Sequence, residues 1–294
     1  MRLAAVFRDP PPSLAFEISS RGIAMARLHA PSEFSVRPLP PGVLSISPVH
    51  DNVLQPDDLA AAVRELTPPN GGRKRRDAAL ILPDYCARVA VLDFDSFPKD
   101  AAEQLSLVRF RMKKSVPFDV ESAALSFAPQ AAEGKRIHVV VVVAPVEIVA
   151  RYEAPFRAAG LNPGLVTISS LAALELVDGQ AVTVVAKLTG EVLTVLVVEK
   201  GRLKLVRSLE LAAASLDDIA ADLYPTFVYI EDSLGVKAER LLLCGFGPLA
   251  EEAARRFQAD LGAEVELVRS PLGSPGDGDA GLHGYLKSIS SGAN

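Results

Sequence analysis

Two distant stretches of this chain read as the same unit. LAFEISSRGIAMARL, Leu14 to Leu28, aligns without a gap on VVAKLTGEVLTVLVV, Val184 to Val198. Glu17 falls on Lys187, Ile18 on Leu188, Ser19 on Thr189 and Ser20 on Gly190. Each copy reads as strand, small-residue turn, strand, and a third strand follows each, within Phe34–Leu39 and over Leu203–Ser208. An internal duplication fixes architecture more tightly than any single element. Two copies of strand–turn–strand–strand–helix predict two related lobes facing one another, with both turns converging on one site. Turn N–H groups can surround an anion in a concave nest, such as the phosphates of one nucleotide. Hairpins of unrelated α/β proteins also look alike, so the order of the remaining elements has to support the repeat.

After the first hairpin, Pro56-Asp57-Asp58 opens a helix over Leu59–Leu66, with acidic residues where the helix dipole favours them. Strands are expected over Ala79–Leu82, Arg88–Phe94, Ala123–Phe127, Arg136–Ala144 and Leu165–Ile168. Helices are expected over Lys99–Lys114, Val146–Ala159 and Ser169–Val177. Pro117 stops the first of these by disfavouring the helical region for Val116. The second half continues with strands Ala181–Leu188, Val192–Glu199 and Leu203–Ser208. A long helix over Ser215–Ser233 follows, which Pro225 is expected to split or kink. Strand Arg240–Cys244 leads through Gly245-Phe246-Gly247 into a helix over Pro248–Leu261. Strand Val265–Val268, a Gly/Pro/Ser loop from Ser270 to Ala280 and a helix over Gly281–Ile289 complete the chain. The basic run in Thr67–Arg76 reads as a solvated loop tip in preference to a contact with anionic lipid or an acidic partner.

Composition excludes several classes. With 294 residues the chain can form two compact lobes, and 49% hydrophobic against 23% charged residues is a folding composition. A formal net charge of -5 argues against a nucleic-acid binder. Two cysteines, Cys86 and Cys244, provide neither a disulfide framework nor a zinc signature, and a reducing cytoplasm is the natural setting. Before the prolines the N-terminus MRLAAVFRDPPPS has no apolar core long enough for a signal peptide. The greasiest runs, Val139–Ala144 and Val192–Val198, are too short to span a bilayer. Membrane association would therefore come through a partner.

The second block carries a family resemblance. ALILPDYCARVAVLDFDSFPKDAAEQLSLVRFRMKKSVPFDVESAALSFAPQ resembles a segment of the type IV pilus assembly protein PilM family. HVVVVVAPVEIVARYEAPFRAAGLNPGLVTISSLAAL resembles that family's passage into its second lobe. LLLCGFGPLAEEAARRFQADLG resembles the glycine turn near the adenosine, and GLHGYLK falls where the family has a small-residue helix. The matches occur in the family's order over most of the chain. The resemblance implies a duplicated actin-like (ribonuclease H-like) α/β fold with an inserted FtsA-type subdomain. Residues 1–77 would begin the first lobe, 78–160 would form the insertion, and 161–294 would form a second lobe with a reduced helical subdomain. It also implies a cytoplasmic protein, peripheral to the inner membrane. Such a protein binds a short peptide of a PilN-like inner-membrane partner in a groove between the first lobe and the insertion. A homo-oligomer is compatible with it.

The departures from the family pattern bear on enzyme against scaffold. The first phosphate turn, Asp-x-Gly in the family, is Glu17-Ile18-Ser19-Ser20 here, with Ala24 where a lysine would fall. The second is Lys187-Leu188-Thr189-Gly190, a cation in place of the carboxylate that would organise a metal and its waters. The resemblance makes Glu17, Ser19, Ser20, Lys187, Thr189, Gly190, Gly245 and Gly247 a degenerate, even vestigial, nucleotide site. ATP with magnesium is its candidate cofactor, and the charge reversal weighs against hydrolysis. Lys187 could still neutralise a phosphate directly. No Walker loop, G-x-S-x-G or H-E-x-x-H motif competes, and no catalytic or metal-ligating set emerges.

Three functions compete, in order of preference. The first is a non-enzymatic adaptor of a pilus or secretion machine, gripping its partner's peptide around Arg109, Val116, Pro117 and Phe118. An aromatic beside a basic side chain can anchor an apolar peptide there, although Phe118 taken alone is better explained as core. The second is an ATP-binding or ATP-hydrolysing actin-like protein with unorthodox phosphate loops. The third, a sugar-kinase-like enzyme, lacks a general-base Asp near the cleft.

Overall fold

The computed structural model of the protein describes residues 11–28, 33–67, 69, 74–131, 136–212 and 215–292. The N-terminal segment before the prolines and residues 70–73 of the basic loop lie outside them. In chain order the first unit is β1 (Leu14–Ser19), β2 (Gly22–Arg27), β3 (Glu33–Pro38), α1 (Pro56–Leu66) and β4 (Arg76–Leu82). Next come β5 (Arg88–Phe94), α2 (Ala101–Met112), β6 (Ala123–Pro129), β7 (Ile137–Pro145), α3 (Val146–Ala158), β8 (Leu161–Ile168) and α4 (Ser169–Ala173). The second unit is β9 (Thr183–Thr189), β10 (Val192–Glu199), β11 (Arg202–Glu210), α5 (Leu216–Tyr229), β12 (Arg240–Cys244), α6 (Ala250–Leu261), β13 (Glu264–Leu267) and α7 (Ala280–Gly292).

The duplication is present in full. One sheet has the order β3-β2-β1-β4-β8 and the other β11-β10-β9-β12-β13, so each strand has a counterpart in the same place. In both, a three-strand antiparallel meander continues into two parallel strands. The sheets correct both sequence-drawn boundaries. Residue 78 falls inside β4, and β8, beyond residue 160, pairs with β4 in the first sheet. Parallel strands need a long crossover, and here the crossover accommodates an entire extra sheet, β5-β7-β6, between β4 and α3. Contiguity along the chain is therefore a poor guide to where the first lobe ends.

Strand alternation sets the layers. In β1, Leu14, Phe16 and Ile18 enter a core with α1 and α3, while Ala15 joins the opposite face against Leu282 and Tyr285 of α7. In β9, Val184, Ala186 and Leu188 enter the core of the second lobe, while Val185 faces the first. In β7, Val139, Val141 and Val143 pack on Val108 and Met112 of α2, and Val140 and Ala144 pack toward the first lobe. The helix at 216–229 runs through Pro225, which has no N–H to give the Ala221 carbonyl. It ends in a π-helical turn, Ile230–Leu234, closed by Gly235 in the left-handed region. Pro248 lies in a 3-10 turn just ahead of α6. Among the described residues no helix is long and apolar enough to cross a membrane.

The helices that end the two units, α4 and α7, meet backbone to backbone. A Cβ on Gly284 would lie 2.0 Å from the Ala172 carbonyl oxygen, and one on Gly281 2.9 Å from Ser169 Cα. Glycine thus sets how closely the two helices approach. Gly284→Ala is expected to destabilise the protein by about 1–3 kcal/mol in denaturant titration, although alanine is the better helix former. A neutral or stabilising result would mean that α4 and α7 separate freely.

Candidate functional site

The aligned pair Glu17 and Lys187 occupies matching positions. Glu17 lies beside Ile81 of β4 and Ala24 of β2, and Lys187 beside Cys244 of β12 and Thr194 of β10. Alternation turns both side chains away from their own lobe cores and toward each other. A third charge joins them. Just past β4, Pro83 leads into a 3-10 turn, Asp84–Cys86, that carries Asp84 into the interface. Lys187 Nζ lies 3.0 Å from Asp84 Oδ2, with the two side chains only 2% and 3% exposed. Nζ also donates to Thr189 Oγ1 at 2.9 Å.

Each carboxylate also caps one of the paired helices. Asp84 Oδ1 accepts the Ser170 N–H at 2.6 Å, in the first turn of α4. Glu17 Oε2 accepts the Leu282 N–H at 2.6 Å, in the first turn of α7, and its other oxygen accepts the Ser169 hydroxyl. Helix N-termini favour negative charge, so the carboxylates are held where backbone partners already point. Burial pushes the Glu17 carboxyl up from its ordinary 4.5 to about 6, against the pull of Lys187 and its two hydrogen bonds. For Lys187, burial acts downward, but Asp84 and Glu17 outweigh it and the ammonium is held above its ordinary range. The Cys244 thiol beside it is pushed up to about 12 by burial, and Cys86 is raised by burial too, so neither is a ready nucleophile.

The two turns meet above this cluster. A Cβ on Gly190 would lie 2.8 Å from Ser20 Oγ, so the turns touch. Each has amides already engaged by the protein. In the first, the Ser19 hydroxyl accepts the N–H groups of Arg21 at 3.2 Å and Gly22 at 3.3 Å. In the second, the Gly190 N–H donates to Asp277 Oδ1 at 2.9 Å. Outside them lies an interlobe cleft of about 470 Å³. Of the sequence-predicted residues, Glu17, Ser19, Ser20, Lys187, Thr189 and Gly190 line it, and Gly245 and Gly247 do not. Gly245 is required for packing, since a Cβ would lie 2.1 Å from the Leu188 carbonyl oxygen, and Gly247 is exposed. Sequence reasoning missed Asp84, Ser169, Ser170 and Asp277. For Asp84 a signal existed, because a lysine inside the buried run Val184–Leu188 demands a carboxylate partner.

A second concavity, of about 280 Å³, separates the first lobe from the inserted sheet. β6 and β8, each the last strand of its sheet, form its walls, with Val140 and Val142 of β7 between them. Leu82, Cys86, Ile168 and Leu171 form its inner end. Arg109, Val116, Pro117 and Phe118 do not line this groove. They lie around α2: Arg109 pairs with Glu121, and Val116 and Phe118 are half-buried against the core between α2 and β7. Among the described residues no group of His, Cys, Asp and Glu is arranged to hold a metal ion.

No protein-family model matches the chain, and no curated protein matches it. Solved structures do. A chain of a PilM–PilN type IV pilus biogenesis complex aligns with a TM-score of 0.79 at 19% identity, over 96% of this chain and 99% of that one. A Bacteroides thetaiotaomicron protein described as having an actin-like ATPase fold and unknown function aligns at 0.56 and 12%, over 93% and 94%. The ethanolamine utilization protein EutJ from Carboxydothermus hydrogenoformans aligns at 0.50 and 10%, over 96% and 90%. The chain has the actin-like fold, as the resemblance implied.

The buried charges make the interlobe pairing testable. Removing one partner of a buried pair strands the other, so Lys187→Met alone should cost about 3–5 kcal/mol in equilibrium unfolding. The double variant Lys187→Met/Asp84→Asn should recover most of this, because the introduced carboxamide oxygen still accepts the Ser170 N–H without carrying a charge. A single-variant cost under about 1 kcal/mol would show that the pair does not hold the lobes.

Glu17 gives a pH signature. Between pH 4.5 and about 6 the folded protein keeps a proton that the unfolded chain has released. Its contribution to stability therefore falls as pH rises through that window. Relative to the parent, Glu17→Gln should gain roughly 2 kcal/mol between pH 4.5 and 6.5. A difference independent of pH would place the Glu17 carboxyl in its ordinary range.

Proposed function

We propose that this chain is a non-enzymatic adaptor that holds a short peptide of a PilN-type inner-membrane protein, in a type IV pilus or a related secretion machine. It would sit on the cytoplasmic side of the membrane through that partner. The observation that carries this reading is the groove between β6 and β8. Two sheet edges flank it, and an extended peptide can add to such an edge through its main chain while alternate side chains enter apolar pockets. Valine and leucine side chains line the groove, so it suits a peptide with apolar residues at every second position. The likeness to a chain of a PilM–PilN complex over nearly the whole length supports the same partner class.

The interlobe cleft supports a role without ATP hydrolysis. Its lining cations are already engaged, Lys187 by Asp84 and Arg21 by Asp277, and the Gly190, Arg21 and Gly22 amides of the turns have internal acceptors. No carboxylate is free at position 187 to organise a metal.

Calorimetric titration with a synthetic peptide copying the cytoplasmic N-terminal segment of the PilN-type protein tests the reading. Binding is expected, with Ala124→Arg and Ser126→Arg on the exposed groove side of β6 each weakening it by about tenfold or more. Arg109→Ala and Phe118→Ala should leave affinity unchanged. Loss at Arg109 or Phe118 with none at Ser126 would move the peptide to the α2 surface around Arg109, Val116, Pro117 and Phe118. Mg-ATP should produce no binding heat, and micromolar binding would favour an ATP-switched protein.

A further inference from the structure

The loop between β13 and α7 does more than connect them. Ser270 and Gly273 close a small turn through reciprocal backbone hydrogen bonds, of which the Ser270 N–H to Gly273 oxygen is 2.9 Å. Pro275 is then buried, and the Gly276 N–H donates to Asp279 Oδ1 at 2.7 Å, which folds the loop back. At its tip Asp277 bridges both duplicated turns. Oδ1 accepts the Gly190 N–H of the second turn at 2.9 Å, and Oδ2 lies 3.3 Å from Arg21 Nε of the first. Gly278, with φ +106°, is buried against Ser19, where a Cβ would come within 2.5 Å of Ser19 Oγ. The Gly276 carbonyl oxygen lies on the far side, against Gly245.

A backbone N–H on a tight turn and a guanidinium are donors that suit an oxyanion. Here they come from opposite lobes and converge on one carboxylate. We propose that Gly190 N–H and Arg21 form an anion subsite, and that Asp277 is its built-in occupant. The loop at 274–279 thereby keeps phosphoryl groups out of the turns. The carboxylate has an entropic advantage over any free anion, because it is delivered by the same chain at high effective concentration. Gly278 is required at the next position because only a residue without Cβ lets the loop lie on Ser19.

The test compares the parent, Asp277→Ala, and Asp277→Ala/Arg21→Ala by titration with inorganic pyrophosphate in anion-poor buffer. Asp277 is itself exposed at the tip of its loop, so the fold is expected to survive the substitution; thermal melting checks this. Asp277→Ala should bind pyrophosphate on the order of tenfold or more tightly than the parent, and adding Arg21→Ala should remove the gain. Parent and Asp277→Ala binding equally, or a gain that persists without Arg21, would overturn the proposal. A second measurement needs no variant. Hydrogen exchange at the Gly190 amide should be slow in the parent, and exchange at the rate of an open turn would show that Asp277 does not occupy the subsite.

Discussion

One buried ammonium organises the interface between the lobes. Lys187 projects from the second lobe between Asp84 and Glu17 of the first, and those carboxylates cap α4 and α7. Taking three charges out of water is costly unless each is fully partnered. Here the partners are Thr189, Ser169, the Ser170 and Leu282 amides, and the charges themselves. The cluster therefore demands one relative placement of the lobes, because even a small shift would leave a charge unpaired. Gly281 and Gly284 permit the matching close approach of the helices. Electrostatics and backbone sterics thus specify the same geometry independently.

This arrangement commits groups in the cleft that a bound nucleotide would otherwise use. A nucleotide between two phosphate turns needs free amides, a carboxylate to organise the metal, and unpaired positive charge. The Ser19 hydroxyl takes the Arg21 and Gly22 amides, the Asp277 carboxylate takes the Gly190 amide, and Lys187 is paired with Asp84 at the floor. At the mouth Glu191 and Glu210 are both exposed and add negative charge. Like charges disfavour a triphosphate even where volume remains. The fold alone does not decide what the cleft does, because one architecture carries many site chemistries.

Most of this fold is legible in the sequence, for a local reason. The hairpins alternate with period two and turn on small residues, so Glu17 and Lys187 align from the residues alone. The end of the first lobe is not legible, because β4 and β8 pair across an inserted sheet and parallel pairing leaves no local signal. Asp84 is hidden for a similar reason: it lies in a Pro-Asp-Tyr turn, 103 positions from the lysine it pairs with. Asp277 sits in a Gly/Pro/Ser stretch whose composition says loop and nothing about where the loop lands. In sequence, Phe118 beside Arg109 resembles a peptide anchor and draws the partner surface to α2. In the structure β7 presents alternate valines to two faces, and the half-buried Phe118 packs against one of them.

The groove and the charged cluster are neighbours along the chain, which constrains how either can move. Ile168 lines the inner end of the groove, and the next residue, Ser169, donates to Glu17. Leu82, at the end of β4, and Cys86, in the following turn, also line it and flank Asp84 along the chain. No flexible linker separates these residues, so a side chain displaced in the groove would be felt one or two residues later at a buried charge. Packed interiors resist small continuous shifts. An occupant must therefore either fit the groove as it stands or disturb the pairing that holds the lobes. The inserted sheet has its own brace against such disturbance. The Gln130 amide both donates to the Leu203 carbonyl and accepts its N–H at 2.8 Å, imitating a strand partner on β11 of the second lobe. That brace and the Lys187 cluster both tie the surroundings of the groove to the second lobe, which limits how far its walls can shift.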